Sequence, residues 1–351
     1  MATKGKHGLL QTDCPFQVRG IVTGVDSNRF YQSGTTKTGG QWNKINFGVK
    51  VNENKTVYVS LNGFPRKEVF YYKRPESKGE KGTTVRVPWK DRTQSPGEGY
   101  RLIGVNITTG KDNEGNNINN IFTEYDAVEW FAHNLKDGES VFIKGNIDFL
   151  SYTNRNGQTQ RRVDMVLNQL SRTKSPVDFE ADNFEEQCDF ICGLVYSDID
   201  KEVDENNKPT GRFILSGYSI GYNSIENISF IIDTDHDKLA SRFKKSLKPG
   251  NYIQVYGKVN TVSNVEEEEV DSGWGEPSKM KRVSGSFRTE YVIYGADPNS
   301  IDTEMYSEAD IAAAIKKLNA AKEAEHNFGD TSDGDADWGE FDDADDDDLW
   351  V

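Results

Sequence analysis

Phe131-Ala-His-Asn-Leu-Lys-Asp-Gly-Glu-Ser-Val-Phe-Ile-Lys-Gly-Asn-Ile147 returns 112 residues later as Phe243-Lys-Lys-Ser-Leu-Lys-Pro-Gly-Asn-Tyr-Ile-Gln-Val-Tyr-Gly-Lys-Val259. Phe131, Leu135, Lys136, Gly138 and Gly145 all keep their identities at the same offset. Each passage reads as the end of a short helix, a Lys-x-Gly stop and an alternating strand. Upstream, Val128, Phe131, Ala132 and Leu135 share one helical face, with Asp126 as the expected N-cap. A repeat of this size predicts two copies of one domain.

Strand signals surround both passages. Phe16–Val25 alternates and contains two glycines, as a strand bent into a barrel requires. Phe190–Tyr196 parallels it, with Phe190 set against Gln17. Trp42–Val51 alternates with period 2, which puts Ile45, Phe47, Val49 and Val51 on a core face. Lys55–Leu61, Arg101–Thr108, Asn117–Thr123, Ser140–Phe149 and Arg161–Leu167 follow, then Gly211–Tyr218 and Ile225–Ile232. The order is strands, one helix, then a strong strand, and it occurs twice. It resembles the OB fold, a five-stranded Greek-key barrel with a helix between its third and fourth strands. The resemblance covers about residues 16–170 and 186–295. It implies a mainly β chain with two OB-fold domains in tandem and short helices. The expected layout is an arm over 1–15, domain one over 16–175 with an insertion at 63–101, and domain two over 186–300. A helix over 303–325 capped by Ser307 and a disordered acidic tail over 326–351 complete it.

The net charge of −15 is unevenly placed. Residues 1–175 sum to +9, residues 176–327 to −13, and residues 328–351 to −11 with no Lys or Arg. A basic first half is drawn to a phosphate backbone, and an acidic end is repelled by it. The second domain is expected to bind nucleic acid weakly or to serve assembly, since it carries Glu266–Glu269 beside Trp274.

Binding a single strand without regard to sequence needs cations on phosphates and aromatic rings under bases. The insertion is richest in both, with ten Lys/Arg against five acids. Its candidates are Arg66, Lys67, Phe70, Tyr72, Lys73, Arg74, Arg86, Trp89, Lys90 and Arg92. The first barrel adds Arg29, Phe30, Tyr31, Lys37, Trp42, Lys44 and Lys50, and its last hairpin adds Tyr152, Arg155, Arg161 and Arg162. For Trp42 and Trp89, stacking and core burial are both open readings.

The tail Asp345-Asp-Asp-Asp-Leu349-Trp350 ends an acidic run in apolar residues. It resembles the acidic tip of bacterial and phage single-stranded DNA-binding proteins, although Val351 stands last and no Pro-Phe ending is present. The whole arrangement resembles phage-type single-stranded DNA-binding proteins. That resemblance implies a role in replication, recombination and repair, with the tail recruiting partner proteins and competing for the DNA groove.

Other chemistries find little support. Cys188 and Cys192 lie four apart and Cys14 is remote, so four-ligand zinc spacing is missing and core thiols are expected. The four histidines, His7, His133, His236 and His326, form no cluster in sequence. Asp233–Asp237 opens like a calcium loop, but Lys238 and Lys244 replace its turn Gly and closing Glu. Neither a phosphate-binding Gly loop nor a Gly-x-Ser-x-Gly elbow occurs. No enzyme activity, cofactor or metal is expected, and a nuclease would need carboxylates that only the fold could gather. The alternative function is a protein-interaction scaffold of a replication complex without direct DNA binding. The residue chemistry serves DNA and RNA alike. No stretch approaches 18 apolar residues, and no secretory leader is visible. With three unpaired Cys this predicts a reducing cytoplasm, a bacterial host's if the gene is a phage's.

Overall fold

Alternating segments become strands, and the computed structural model is mainly β with three α-helices among the residues it describes. These are 3–36, 39–77, 80–153, 159–204, 206–268 and 282–327. The first half contains β1 (Pro15–Thr23), β2 (Tyr31–Thr35), β3 (Gln41–Asn52), β4 (Lys55–Gly63), β5 (Glu68–Lys73), β6 (Thr83–Pro88), β7 (Tyr100–Leu102), β8 (Val105–Lys111) and β9 (Asn117–Phe122). Helix α1 (Glu124–Asn134) follows, then β10 (Ser140–Thr153) and β11 (Thr159–Arg172). The second half contains β12 (Cys188–Val203), β13 (Pro209–Ile220), β14 (Ile225–Ile232), α2 (Asp237–Ser246), β15 (Tyr252–Glu268), β16 (Arg282–Asp302) and α3 (Glu308–Asn327).

Each half closes a ring of pairings. In the first, β1 pairs with β3, β3 with β4, β4 runs parallel to β11, β11 pairs with β10, and β10 returns to β1. In the second, β12 pairs with β13, β13 with β14, β14 runs parallel to β16, β16 pairs with β15, and β15 returns to β12. The rings meet where β1 pairs antiparallel with β12, Phe16 opposite Phe190. One apolar core runs through both, and Phe149 of the first half meets Phe230 of the second edge-on at 6.2 Å. Ile45, Phe47, Val49 and Val51 all lie in it, as their alternation requires.

The quoted repeat is seen in three dimensions. Both helices end the same way, with the Leu135 N–H donating to Phe131 O and the Leu247 N–H to Phe243 O, each at 3.0 Å. Gly138 and Gly250 take positive φ, +84° and +90°, not at the helix ends but in the turn beyond them, where the Glu139 N–H donates to Lys136 O and the Asn251 N–H to Lys248 O, and a side chain there would be strained. Gly145 lies opposite Phe16, and Gly257 opposite Phe190. That register corrects the match along the first strands. Phe16, not Gln17, is the counterpart of Phe190, because period-2 alternation tolerates a one-residue slip in sequence but pairing does not.

Two boundaries also change. The N-cap of α1 is Thr123, whose hydroxyl oxygen accepts from Asp126 N at 3.1 Å and itself donates to Asp126 Oδ2 at 2.8 Å. Asp126 therefore sits inside the first turn. Ser307 does cap α3, accepting from Asp310 N at 3.1 Å. Residues 3–14, expected as an arm, lie across the second half. Leu9 and Leu10 pack with Val195, Ile220, Tyr306 and Ile311. His7 is buried, its Nε2 donating to Gly221 O at 2.8 Å while Nδ1 accepts from Leu9 N.

Burial accounts for the thiols. Cys14, Cys188 and Cys192 are all in the core, and desolvation pushes Cys188 up to about 12. Asp233 accepts from Thr234 N and caps a short 3-10 turn, a structural use for the calcium-like segment.

Asp148 faces Asp164 directly across β10 and β11. Desolvation raises its carboxyl above the usual range, with Asp164 adding repulsion, while the Asn146 amide opposes both by donating at 2.8 Å. A carboxyl raised on folding destabilises the fold wherever it is charged, so stability rises as pH falls through the folded value. Asp148→Asn is expected to raise the urea midpoint at pH 7. The gain should vanish as pH falls to where Asp148 is already protonated, and an equal gain at every pH would assign the effect to something other than its charge.

Candidate nucleic-acid interface

Residues 63–101 fold into a small sheet of their own, with β5 central between β6 and β7. Alternation along β5 splits its two faces. Val69 and Tyr71 turn inward with Val87 to make a satellite core, packed by Trp89, Tyr100 and Leu102. Phe70 and Tyr72 turn outward. Phe70 lies opposite Arg86 of β6, and Tyr72 opposite Arg101 of β7. The outer face therefore presents two rings and two guanidinium groups side by side. The Arg86 guanidinium sits 5.6 Å from the centre of the Phe70 ring and donates to Glu68 at 3.1 Å. Tyr72 is 38% exposed, with Gly82 against its ring, and Arg101 is exposed. Arg101 is not among the residues that the sequence singles out. It pairs with Tyr72 only through the register of β5 and β7, which sequence distance hides.

Several predicted residues serve the insertion's anchorage instead. Arg92 donates both Nε and Nη2 to Asp126 of α1, each at 2.8 Å. Its guanidinium also covers the Trp89 ring at 4.5 Å, and that ring meets Tyr125 edge-on at 6.2 Å. The Tyr71 hydroxyl donates to Arg92 O at 2.7 Å. Trp89 and Arg92 are thus a clamp between insertion and helix, and the half-buried Trp89 is no open platform. A two-pronged charge-assisted pair with both partners mostly sheltered is a strong contact. Arg92→Ala is expected to destabilise by about 1–3 kcal/mol, the cost of leaving the Asp126 carboxylate without its cation and with Thr123 alone as donor. Limited proteolysis should then cut the insertion faster than it cuts the barrels.

The other expected positions divide by burial. Phe30 lies in the core, edge-on to Phe47 at 6.3 Å, and Lys44 is 9% exposed, so neither offers an open surface. Tertiary packing covers Lys44 on a face that alternation alone puts outside, while Phe30 precedes β2 in a loop, where alternation does not apply. Trp42 is half-buried, and a Cβ at the facing Gly34 would come within 2.9 Å of its indole. Tyr31 is half-buried, and its hydroxyl donates to Glu129 at 2.7 Å. Burial raises that hydroxyl's pKa, and the bond to Glu129 raises it further. Arg162 donates to Asp164 at 2.7 Å, Arg66 to Glu124 at 3.3 Å, and Lys73 lies 3.4 Å from Glu76. Arg29, Lys50, Lys67, Arg74, Lys90, Arg161 and Tyr152 are exposed. Lys37, Arg155, Trp274 and the tail residues Asp345, Asp346, Asp347, Asp348, Leu349 and Trp350 lie outside the described residues, as does the loop over 269–281. Tyr58, missed in sequence, is 58% exposed on β4. Its place between buried Val57 and Val59 could have revealed it. Among the described residues no three His, Cys, Asp or Glu gather in a way that could hold a metal ion, and no helix is long and apolar enough to cross a membrane.

The family model described as YorF matches residues 15–330, and the chain belongs to that family. No curated protein matches it. Among solved structures it is similar to a deletion mutant of the single-stranded DNA binding protein from Thermus aquaticus, at TM-score 0.36 and 10% identity, over 82% of this chain and 94% of that one. The wild-type Thermus aquaticus protein matches at TM-score 0.35 and 10% identity, over 81% and 91%.

Proposed function

We propose that this YorF-family chain binds single-stranded DNA without regard to sequence, using two OB-type barrels and the sheet inserted in the first. The observation that carries the reading is the outer face of that sheet. Phe70, Tyr72, Arg86 and Arg101 are held on one surface by the pairing of three strands. A ring that stays exposed beside a cation has the chemistry to stack on a base while the cation meets its phosphate. Lys67, Arg74 and Lys90, all exposed in the same insertion, extend the positive surface. The ring of pairings in each half, with one parallel contact closing it, supports the assignment of OB barrels. The proposed role is protection of single strands during replication, recombination and repair in a cytoplasm, without a catalytic step. The acidic residues from 328 onward would recruit partner proteins and compete with DNA for the basic surface.

Titration of an unlabelled single-stranded oligonucleotide into the full chain at two salt concentrations, followed by tryptophan fluorescence, tests this. The chain without residues 328–351 is titrated alongside. Binding that tightens at low salt supports phosphate contact. Tighter binding after removal of residues 328–351 supports competition by the tail. No binding by either form removes the DNA reading and leaves the protein scaffold.

A further inference from the structure

The two halves enclose a cleft of about 270 Å³ that the insertion does not touch. Val57 and Tyr58 of β4 and Val163 of β11 form one wall, and Val259 of β15 with Tyr291 of β16 forms the other. Its origin lies in the first ring's closure. Strands β4 and β11 share a single register pair, Ser60 with Val166, so they are no longer paired three residues earlier at Val57 and Val163. The hairpin of β15 and β16 covers that seam, and Thr261 Oγ1 donates to Thr56 O at 3.3 Å.

The mouth is unlike the floor. Tyr58 is 58% exposed and Val163 is 39% exposed, whereas Val57, Val259 and Tyr291 are buried. Two exposed cations flank the opening. Lys50 lies opposite Thr56, one step along the outer face from Tyr58, and Arg161 lies one step along its strand face from Val163. Whole small-molecule ligands occupy pockets of roughly 300–1,000 Å³. This smaller apolar slot suits one flat ring, and cations on both sides suit the negative charges that would run past it.

We infer that the cleft between the halves takes a single unstacked base of the bound strand, with Tyr58 as its stacking partner and Lys50 and Arg161 meeting the phosphates on either side. This rests on the single-strand binding proposed above, and it gives the acidic second half a part in that binding through Val259 and Tyr291. A strand held at both places is anchored twice, once on the insertion and once at the seam.

The test compares two ligands of equal length, oligothymidylate and an abasic deoxyribose-phosphate oligomer, on the full chain. Tyr58→Ala should lower affinity for oligothymidylate about tenfold and leave the abasic affinity unchanged. Tyr58→Phe, which keeps the ring, should bind both as the unaltered chain does. Thr289→Trp, which fills the slot from its opposite wall, should reproduce the loss seen with Tyr58→Ala. If Tyr58→Ala binds oligothymidylate like the unaltered chain, or loses both ligands equally, the cleft holds no base and the inference is overturned while single-strand binding stands. If the unaltered chain binds neither ligand, the functional reading itself fails.

Discussion

Replacing Tyr72, Arg86 and Arg101 together by alanine is expected to weaken single-strand binding by roughly a hundredfold at low salt. The three side chains leave one surface of a sheet whose core is on its other side. Val69, Tyr71 and Val87 are untouched, so the insertion should still fold. One lost stack accounts for about 1–3 kcal/mol. The two guanidinium groups should appear separately, in the salt dependence. At roughly 0.7 per phosphate on single strands, the slope of log affinity against log salt should flatten by about 1.4. Titrations at four salt concentrations would measure both. An unchanged affinity would show that the strand binds elsewhere. A loss with an unchanged slope would assign the effect to Tyr72 alone.

Valine at Gly145 is expected to have the largest effect on folding, a loss of about 3 kcal/mol or more. A Cβ there would overlap the Val166 carbonyl oxygen and come within 2.6 Å of the Phe16 ring. Both are fixed, one by the ladder with β11 and one by the core. At Gly257 the same atom would overlap the Phe190 ring and sit 2.7 Å from Val292 O, so Gly257→Val should behave alike. Gly138→Ala makes the contrast. Nothing lies within 4 Å of that position, and only its positive φ resists a side chain, at about 1 kcal/mol. Urea midpoints would rank the three. A Gly145→Val chain as stable as Gly138→Ala would contradict the register of β1 on β10.

These glycines also mark how far the sequence could be read. Gly145 and Gly257 stand out as a repeat, whereas Gly138 and Gly250, which read as helix stops, lie in the turn beyond the caps Leu135 and Leu247. Core positions on β3 followed from alternation. What could not be read is whatever depends on which strand lies beside which. Arg101 meets Tyr72 because β7 returns to β5, and Arg92 is spent on Asp126 because the insertion folds back on α1. Phe30 lies in a loop, where no period says which way a ring turns. The slip between Gln17 and Phe16 has the same root: a two-residue period fixes a face but not a partner. Composition could not separate exposed from clamping cations either, since Arg86 and Arg92 are interleaved within one basic segment.

The lodging of residues 3–14 on the second half has a consequence for how the chain is made. His7 reaches Gly221 across 214 positions, Tyr306 reaches Leu10 across 296, and Lys317 reaches the Lys6 carbonyl across 311. Contacts so distant in sequence are formed late, because a long loop must close before they repay it. Synthesis proceeds from the other direction, and early segments collapse as they emerge. Residues 3–14 leave the ribosome before any of these partners, and the surface under Leu9 and Leu10, built from Val195, Ile220, Tyr306 and Ile311, is complete only once the start of α3 has been translated. Residues 3–14 are therefore made before, and settle after, the segments on which they lie.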